Sequence, residues 1–230
     1  MTIGIIGAMD EELKILCSKL QNREDVTIGA YSFFKGTLRG KDVILAKSGI
    51  GKVRAGSVCA TLINTFKVDA ILNTGSAGAI SSELDIGDTV FSQKVAYHDV
   101  DLTVFGYQQG QLPGYKQYFI ADSNLLEKAR EASKNVQDCR VFSGTIVSGD
   151  QFIASKEKTI GFASVFENAM VCEMEGAAVA QVCTDFNIPF LIIRAASDRA
   201  DGASPVSFED FLPMASKNSA LLVEELVALL

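Results

Sequence analysis

Two carboxylates flank a thioether in Glu173-Met174-Glu175-Gly176, and a further carboxylate closes the run Arg194-Ala195-Ala196-Ser197-Asp198. The first group stands at the mouth of an expected helix, the second just past the end of an apolar strand. These are the places where α/β proteins hold ligands. Carboxylates are rarely buried there unless paired or functional, and they can give or take a proton or favour a cationic centre. A third acidic group, Asp10-Glu11-Glu12, follows the first strand. Asp10 and Glu11 suit the first turn of a helix, where negative charge meets the positive end of the dipole. Glu12 fits that role or one pointing into a cleft.

Four glycine-bearing turns are expected after strands: Gly7-Ala8-Met9, Ser48-Gly49-Ile50-Gly51, Gly75-Ser76-Ala77-Gly78 and Ser148-Gly149-Asp150. Several such turns on one sheet edge suggest a small-molecule cleft, although each alone is equally explained by the conformational freedom of glycine. The dinucleotide fingerprint is absent, because Gly4-Ile5-Ile6-Gly7-Ala8-Met9-Asp10 has the wrong spacing. The acidic triplet after it would also repel a pyrophosphate.

The elements that must position these groups alternate along the chain. Apolar runs at Ile3–Ile6, Val43–Lys47, Ala70–Thr74, Thr89–Val95, Gly144–Ser148 and Phe190–Ala195 read as strands. Helical patterns cover Glu11–Leu20, Lys52–Thr65, Ser123–Lys134, Glu175–Asp185 and Phe208–Leu229. Phe33–Leu38 is expected to pair with Val43–Lys47 as a hairpin turning at Arg39-Gly40. The alternation predicts an α/β fold, a three-layer sandwich around a mostly parallel mixed central sheet. One long irregular stretch, Tyr97–Tyr118, carries exposed-prone aromatics and reads as functional or as an interface.

At 230 residues, 48% of them apolar, the chain is expected to form one domain over residues 1–230. Its net charge of −7 is spread along the sequence, without the basic clusters that nucleic acid requires, so no nucleic-acid partner is expected. No apolar run reaches membrane-spanning length, and Met1-Thr2-Ile3-Gly4 runs straight into a strand, so neither a membrane partner nor a leader is expected. The five scattered cysteines form no CxxC pair and the chain has a single histidine, His98. A cytoplasmic protein with reduced thiols and no metal site fits this pattern. His98 is read as a satisfied structural residue.

The strings IGIIGAMDEE, SGIGKVRA, NTGSAGAI, YHDVDLTVFGYQQGQLPG, IVSGDQFI, EMEGAAVAQVC and IRAASD occur in that order. Together they resemble 5′-methylthioadenosine/S-adenosylhomocysteine nucleosidases, of the nucleoside phosphorylase/hydrolase superfamily, from Thr2 to near the C-terminus. The resemblance implies a nucleoside phosphorylase-like fold, a homodimer, and hydrolysis of the adenine–ribose bond in 5′-thio-substituted nucleosides, with no cofactor. It implies that Asp198 protonates the five-membered ring of adenine and that Glu12 activates water, with Ser76 and Arg194 helping to position it. Arg194 is equally suited to hold a neighbouring carboxylate. Glu175 would bind the ribose hydroxyls over Met174, leaving Glu173 to face solvent or a structural partner.

By the same resemblance Phe152 stacks on the base, Ile153 offers backbone hydrogen bonds, Gly78 permits close approach and Ser197 orients Asp198. Met9, Ile50 and Phe208 match an apolar slot for the alkylthio end. Phe105, Tyr107 and Pro113 match residues contributed across the dimer interface. The chain departs from the family pattern at Asp10, Val104 and Gly176, usually Glu, Ala and Ala, and none of the three removes a catalytic group. A phosphorylase of the same superfamily would need arginines in the first loop and before Gly75-Ser76, where this chain has Ala8-Met9-Asp10-Glu11-Glu12 and Asn73-Thr74. An aminodeoxyfutalosine nucleosidase would share these catalytic residues and differ mainly in the 5′ pocket.

Overall fold

The computed structural model describes residues 1–137, 139–200 and 204–230. Its strands are β1 (Thr2–Gly7), β2 (Gln21–Ile28), β3 (Tyr31–Leu38), β4 (Lys41–Lys47), β5 (Ala70–Ala79), β6 (Thr89–Tyr97), β7 (Phe119–Ile120), β8 (Val141–Ser148), β9 (Ala169–Glu173) and β10 (Phe190–Asp198). Its helices are α1 (Asp10–Lys19), α2 (Lys52–Asn64), α3 (Ser123–Ser133), α4 (Lys156–Val165), α5 (Gly176–Phe186) and α6 (Ser204–Leu229). The central strands are near-continuous apolar runs because helices cover both faces of the sheet. Ile3, Ile5, Ile6, Ile71, Leu72, Leu191, Ile192 and Ile193 are all fully buried there. Helix α2 packs on α5, and α6 packs on α1 and α3, forming the two outer layers.

The sheet is mixed, as expected, but it also closes on itself. Strand β5 pairs in parallel with β10, β10 runs antiparallel to β6, and β6, β8 and β9 continue in parallel. The circuit shuts where Gly78 and Ala79 of β5 pair antiparallel with Cys172 and Val171 of β9. The first half of β5 pairs instead with β1, from which β4, β3 and β2 extend. Strand β5 therefore serves both the open wing and the closed ring, and its middle is where the two part.

The predicted hairpin forms, with Arg39 and Gly40 both at positive φ (52° and 79°), the backbone of a tight primed turn. The expected turn at Gly75-Ser76-Ala77-Gly78 does not: these residues continue β5. The glycines there make room for neighbours rather than bend the chain. Asp198 is likewise the last residue of β10, not a residue beyond it, and lies next to a register shift after Ala196. Strands β2, β7 and β9 and helix α4 are additions to the predicted set. Among the described residues, no helix is long and apolar enough to cross a membrane.

Candidate active site

A cavity of about 310 Å³ opens beside the middle of β5. Glu12 enters it from the first turn of α1, Ser76 and Gly78 from β5, Glu175 from the loop before α5, and Ser197 and Asp198 from the end of β10. Helix α1 starts immediately after β1, which places Glu12 at the third helical position. From there its Oε2 accepts from the amides of Ala8 and Met9, at 2.7 and 3.1 Å. Its Oε1 accepts from the amide and the hydroxyl of Ser76, at 3.0 and 3.3 Å. Both carboxyl oxygens are thus fixed. Burial raises the pKa of Glu12, opposed by the positive charge of Arg194 and by the amides of Ser76, Met9 and Ala8.

Glu175 is the residue before α5 and is also buried. Its Oε1 accepts from the amide of Gly51, at the head of α2, at 2.9 Å. Burial and the adjacent Glu173 push its pKa up to about 8, against the pull of Arg194. Asp198 is buried beside Gly78. Its Oδ1 accepts from the Ser197 hydroxyl at 3.0 Å and its Oδ2 from the Ala200 amide at 2.9 Å. A methyl group at position 78 would lie 3.1 Å from Asp198 Oδ2 and 2.9 Å from the Ala200 Cβ. The close approach at Gly78 is therefore made at least partly by the chain itself.

Met9, Ile50, Phe152, Ile153, Met174 and Phe208 supply the apolar lining. Phe152 is half exposed and meets the edge of Phe208 with ring centres 5.7 Å apart. Arg194 does not line the cavity. It is buried behind it, where Nη2 donates to Asn73 Oδ1 at 2.7 Å and Nε donates to Glu173 Oε2 at 3.1 Å. Nη2 also lies 3.7 Å from Glu175 Oε2. Burial alone would favour loss of this charge, but Glu173, Glu175 and Glu12 outweigh it and raise the arginine's pKa. Glu173 faces inward, not to solvent: besides Arg194 it accepts from the Ser148 hydroxyl and from the amides of Glu175 and Gly176.

The chain matches the phosphorylase superfamily over residues 2–228. It is 47% identical to the 5′-methylthioadenosine/S-adenosylhomocysteine nucleosidase of Psychromonas ingrahamii, over 99% of this chain and 98% of that one. The chain belongs to this nucleosidase family. The Neisseria meningitidis nucleosidase, solved in complex with methylthio-immucillin-A, is similar at a TM-score of 0.97 and 42% identity, covering 100% of this chain and 99% of that one. The futalosine hydrolase of Helicobacter pylori is similar at a TM-score of 0.95 and 34% identity, covering 100% and 98%.

Three residues expected at the nucleosidase pocket lie away from its cavity in the single chain. Phe105 and Pro113 are exposed and Tyr107 is half-buried, on the irregular excursion after β6. Most of that excursion is tied down: Tyr97 donates to Gln181 and Tyr115 to Asp185, each at 2.7 Å. His98 is buried and stacks on Phe162, but among the described residues its Nε2 has no hydrogen-bond partner, so it is not the satisfied residue expected. Burial lowers its pKa, and a neutral ring tolerates that surrounding better than a charged one.

Asn73, Ser148 and Gly51 stand in segments that the sequence singles out, but their contacts were not foreseen: they fix Arg194, Glu173 and Glu175. Their signal was present only as polar residues inside or just beyond apolar strands, which the fold then buries. Ala8, Ala77, Gln151 and Cys172 also line the cavity and carry no distinguishing sequence signal.

Proposed function

We propose that this protein is a hydrolase cleaving the N-glycosidic bond of 5′-methylthioadenosine and S-adenosylhomocysteine, and of 5′-deoxyadenosine, to release adenine and the 5′-substituted ribose. The observation that carries this reading is the convergence of Glu12, Glu175 and Asp198 on one cavity, each fixed by hydrogen bonds. Breaking a purine–ribose bond leaves positive charge on the sugar and negative charge on the base. Two carboxyl groups on either side of the bond answer both needs.

In this scheme Asp198, oriented by Ser197 and the Ala200 amide, is the acid that gives a proton to the five-membered ring as the C–N bond breaks. Water adds to the anomeric carbon and its proton passes to Glu12, whose lone pairs are aimed by Ser76 and the Ala8 and Met9 amides. Glu175 accepts from the ribose hydroxyls and favours the cationic sugar over Met174. Arg194 acts through Glu173 and Glu175, holding them rather than touching substrate. Phe152 stacks on adenine, Ile153 hydrogen-bonds it through the backbone, and Gly78 leaves room beside it. Water and these side chains suffice for the steps as written, with no cofactor.

Met9, Ile50 and Phe208 form the apolar slot for the 5′ substituent. Phe105, Tyr107 and Pro113 complete it across a homodimer interface, which gives their exposed excursion a purpose. The chain acts as one domain over residues 1–230, in the cytoplasm, on small nucleosides, with neither nucleic acid nor membrane as partner. Adenine release from a panel of these three nucleosides, adenosine and aminodeoxyfutalosine, with and without phosphate, tests the reading. Strict dependence on phosphate would sink it in favour of a phosphorylase. The likeness to a futalosine hydrolase supports a second reading, which a marked preference for aminodeoxyfutalosine would bear out.

A further inference from the structure

The main cavity continues outward into a shallow depression of about 470 Å³, and the two share Ala8, Met9 and Ile50. These are the residues at which the 5′ substituent would leave the apolar slot. Beyond them the walls change character: Asp10, Glu11, Lys47 and Arg54 line the depression together with Gly49. Lys47 is already engaged, donating to Asp10. Arg54 and Glu11 are not: among the described residues neither has an ion-pair partner.

Arg54 is nevertheless held in place. Its Nε donates to the Ser48 carbonyl at 2.8 Å, and its guanidinium lies 5.6 Å from the centre of the Tyr31 ring. The group rests flat over Gly49, where a methyl would come within 2.4 Å of Nε. A guanidinium fixed through Nε still presents its two Nη groups as a fork, the geometry that fits a carboxylate, and much of its rotamer entropy is already lost.

We infer that this depression is a subsite for the zwitterionic α-amino-acid end of a long 5′-thio substituent, with Arg54 taking the carboxylate and Glu11 the ammonium. The inference rests on the proposed nucleosidase function and says which of its substrates this chain is built to hold at both ends. The tail of S-adenosylhomocysteine has a short methylene spacer beyond sulfur. The spacer crosses the apolar ground of Met9 and Ile50, and the charged end then meets one group of each sign. A methylthio substituent ends in the slot and never reaches Arg54.

The test compares kcat/KM for S-adenosylhomocysteine and 5′-methylthioadenosine in the wild-type enzyme, Arg54→Gln, Arg54→Glu and Arg54→Lys. An exposed, preorganised charge contact supports a fall of about fivefold for S-adenosylhomocysteine in Arg54→Gln. The fall should be larger in Arg54→Glu and smaller in Arg54→Lys, with the methylthio substrate changing less than twofold throughout. Raising salt should lower the wild-type ratio of kcat/KM for S-adenosylhomocysteine to that for 5′-methylthioadenosine, because exposed charges are screened. An unchanged ratio in Arg54→Glu overturns the subsite. So does a parallel fall for both substrates, which would mean that Arg54 only braces the Ser48-Gly49 turn. Failure of the underlying function would look different: the wild-type protein would release adenine from neither nucleoside.

Discussion

Glu12 and Arg194 meet across Gly75. A methyl group at that position would lie 2.6 Å from Glu12 Oε1 and 3.2 Å from Arg194 Nη1. The glycine is therefore the gap across which the positive charge of Arg194 reaches the proposed base and opposes the rise of its pKa. Gly75→Ala must move one of the two side chains. Turnover should fall about a hundredfold and the unfolding midpoint should drop by several degrees, as overpacking a buried site does. Kinetics and thermal melts on the same sample check both; native turnover would show that the gap is unimportant.

Removing the proton-transfer groups without removing their shapes separates chemistry from folding. Glu12→Gln and Asp198→Asn should each lower kcat by two to four orders of magnitude, the range general acid–base catalysis supplies. Far-UV circular dichroism should be unchanged. A variant with near-native kcat would remove that residue from its role.

The raised pKa of Glu175 makes a prediction about stability with a definite sign. A carboxyl that titrates at about 8 in the folded protein, but near 4 when unfolded, binds its proton more tightly in the native state. The stability this lends is complete below the unfolded pKa and is lost as pH rises through 8. Gln carries no such dependence. Glu175→Gln should be inactive yet gain thermal stability over wild type as pH rises from 5 to 9, with the gap closing towards pH 5. Melting curves across that range decide it, and a constant gap would place the titration elsewhere.

Phe105 is about three-quarters exposed in the single chain, an arrangement that a homodimer would cover. Phe105→Asp should shift the protein towards monomer by light scattering and raise KM for 5′-methylthioadenosine several-fold, with a smaller effect on kcat. A dimer of unchanged affinity and unchanged KM would leave the excursion without its proposed purpose.

Apolar patterning made β1, β4, β5, β6, β8 and β10 and the major helices legible, though not the short buried β9, and Arg39-Gly40 made the hairpin legible. Strand β2 was not, because Gln21-Asn22-Arg23-Glu24-Asp25 is polar on both faces and exposed; its pairing with β3, not its own pattern, makes it a strand. Helix α4 hides for a similar reason, burying only Thr159 and carrying Gly161 mid-way. At the site, resemblance pointed to Glu12, Glu175 and Asp198, and folding brings all three to one cavity. Of the two roles open to Arg194, the structure shows the partner of a neighbouring carboxylate, Glu173. Whether a buried arginine faces a ligand or its own carboxylates is decided by side chains distant in sequence, here Asn73 and Glu173. Gly75 and Gly78 misled as turn residues because close approach and chain reversal both select glycine.

Arg194 is one positive charge set against three carboxylates, Glu12, Glu173 and Glu175. Burial raises the pKa of Glu12 and of Glu175 against the pull of that arginine, and at Glu175 the neighbouring Glu173 adds to the rise, to about 8. A guest that brings its own positive charge beside Glu175 favours the ionised carboxylate and so displaces its proton. Binding a nucleoside analogue with a protonated nitrogen in the sugar ring near neutral pH should therefore expel protons into solution. The calorimetric heat of binding would then change with the ionisation enthalpy of the buffer, whereas adenine alone should leave that heat nearly buffer-independent.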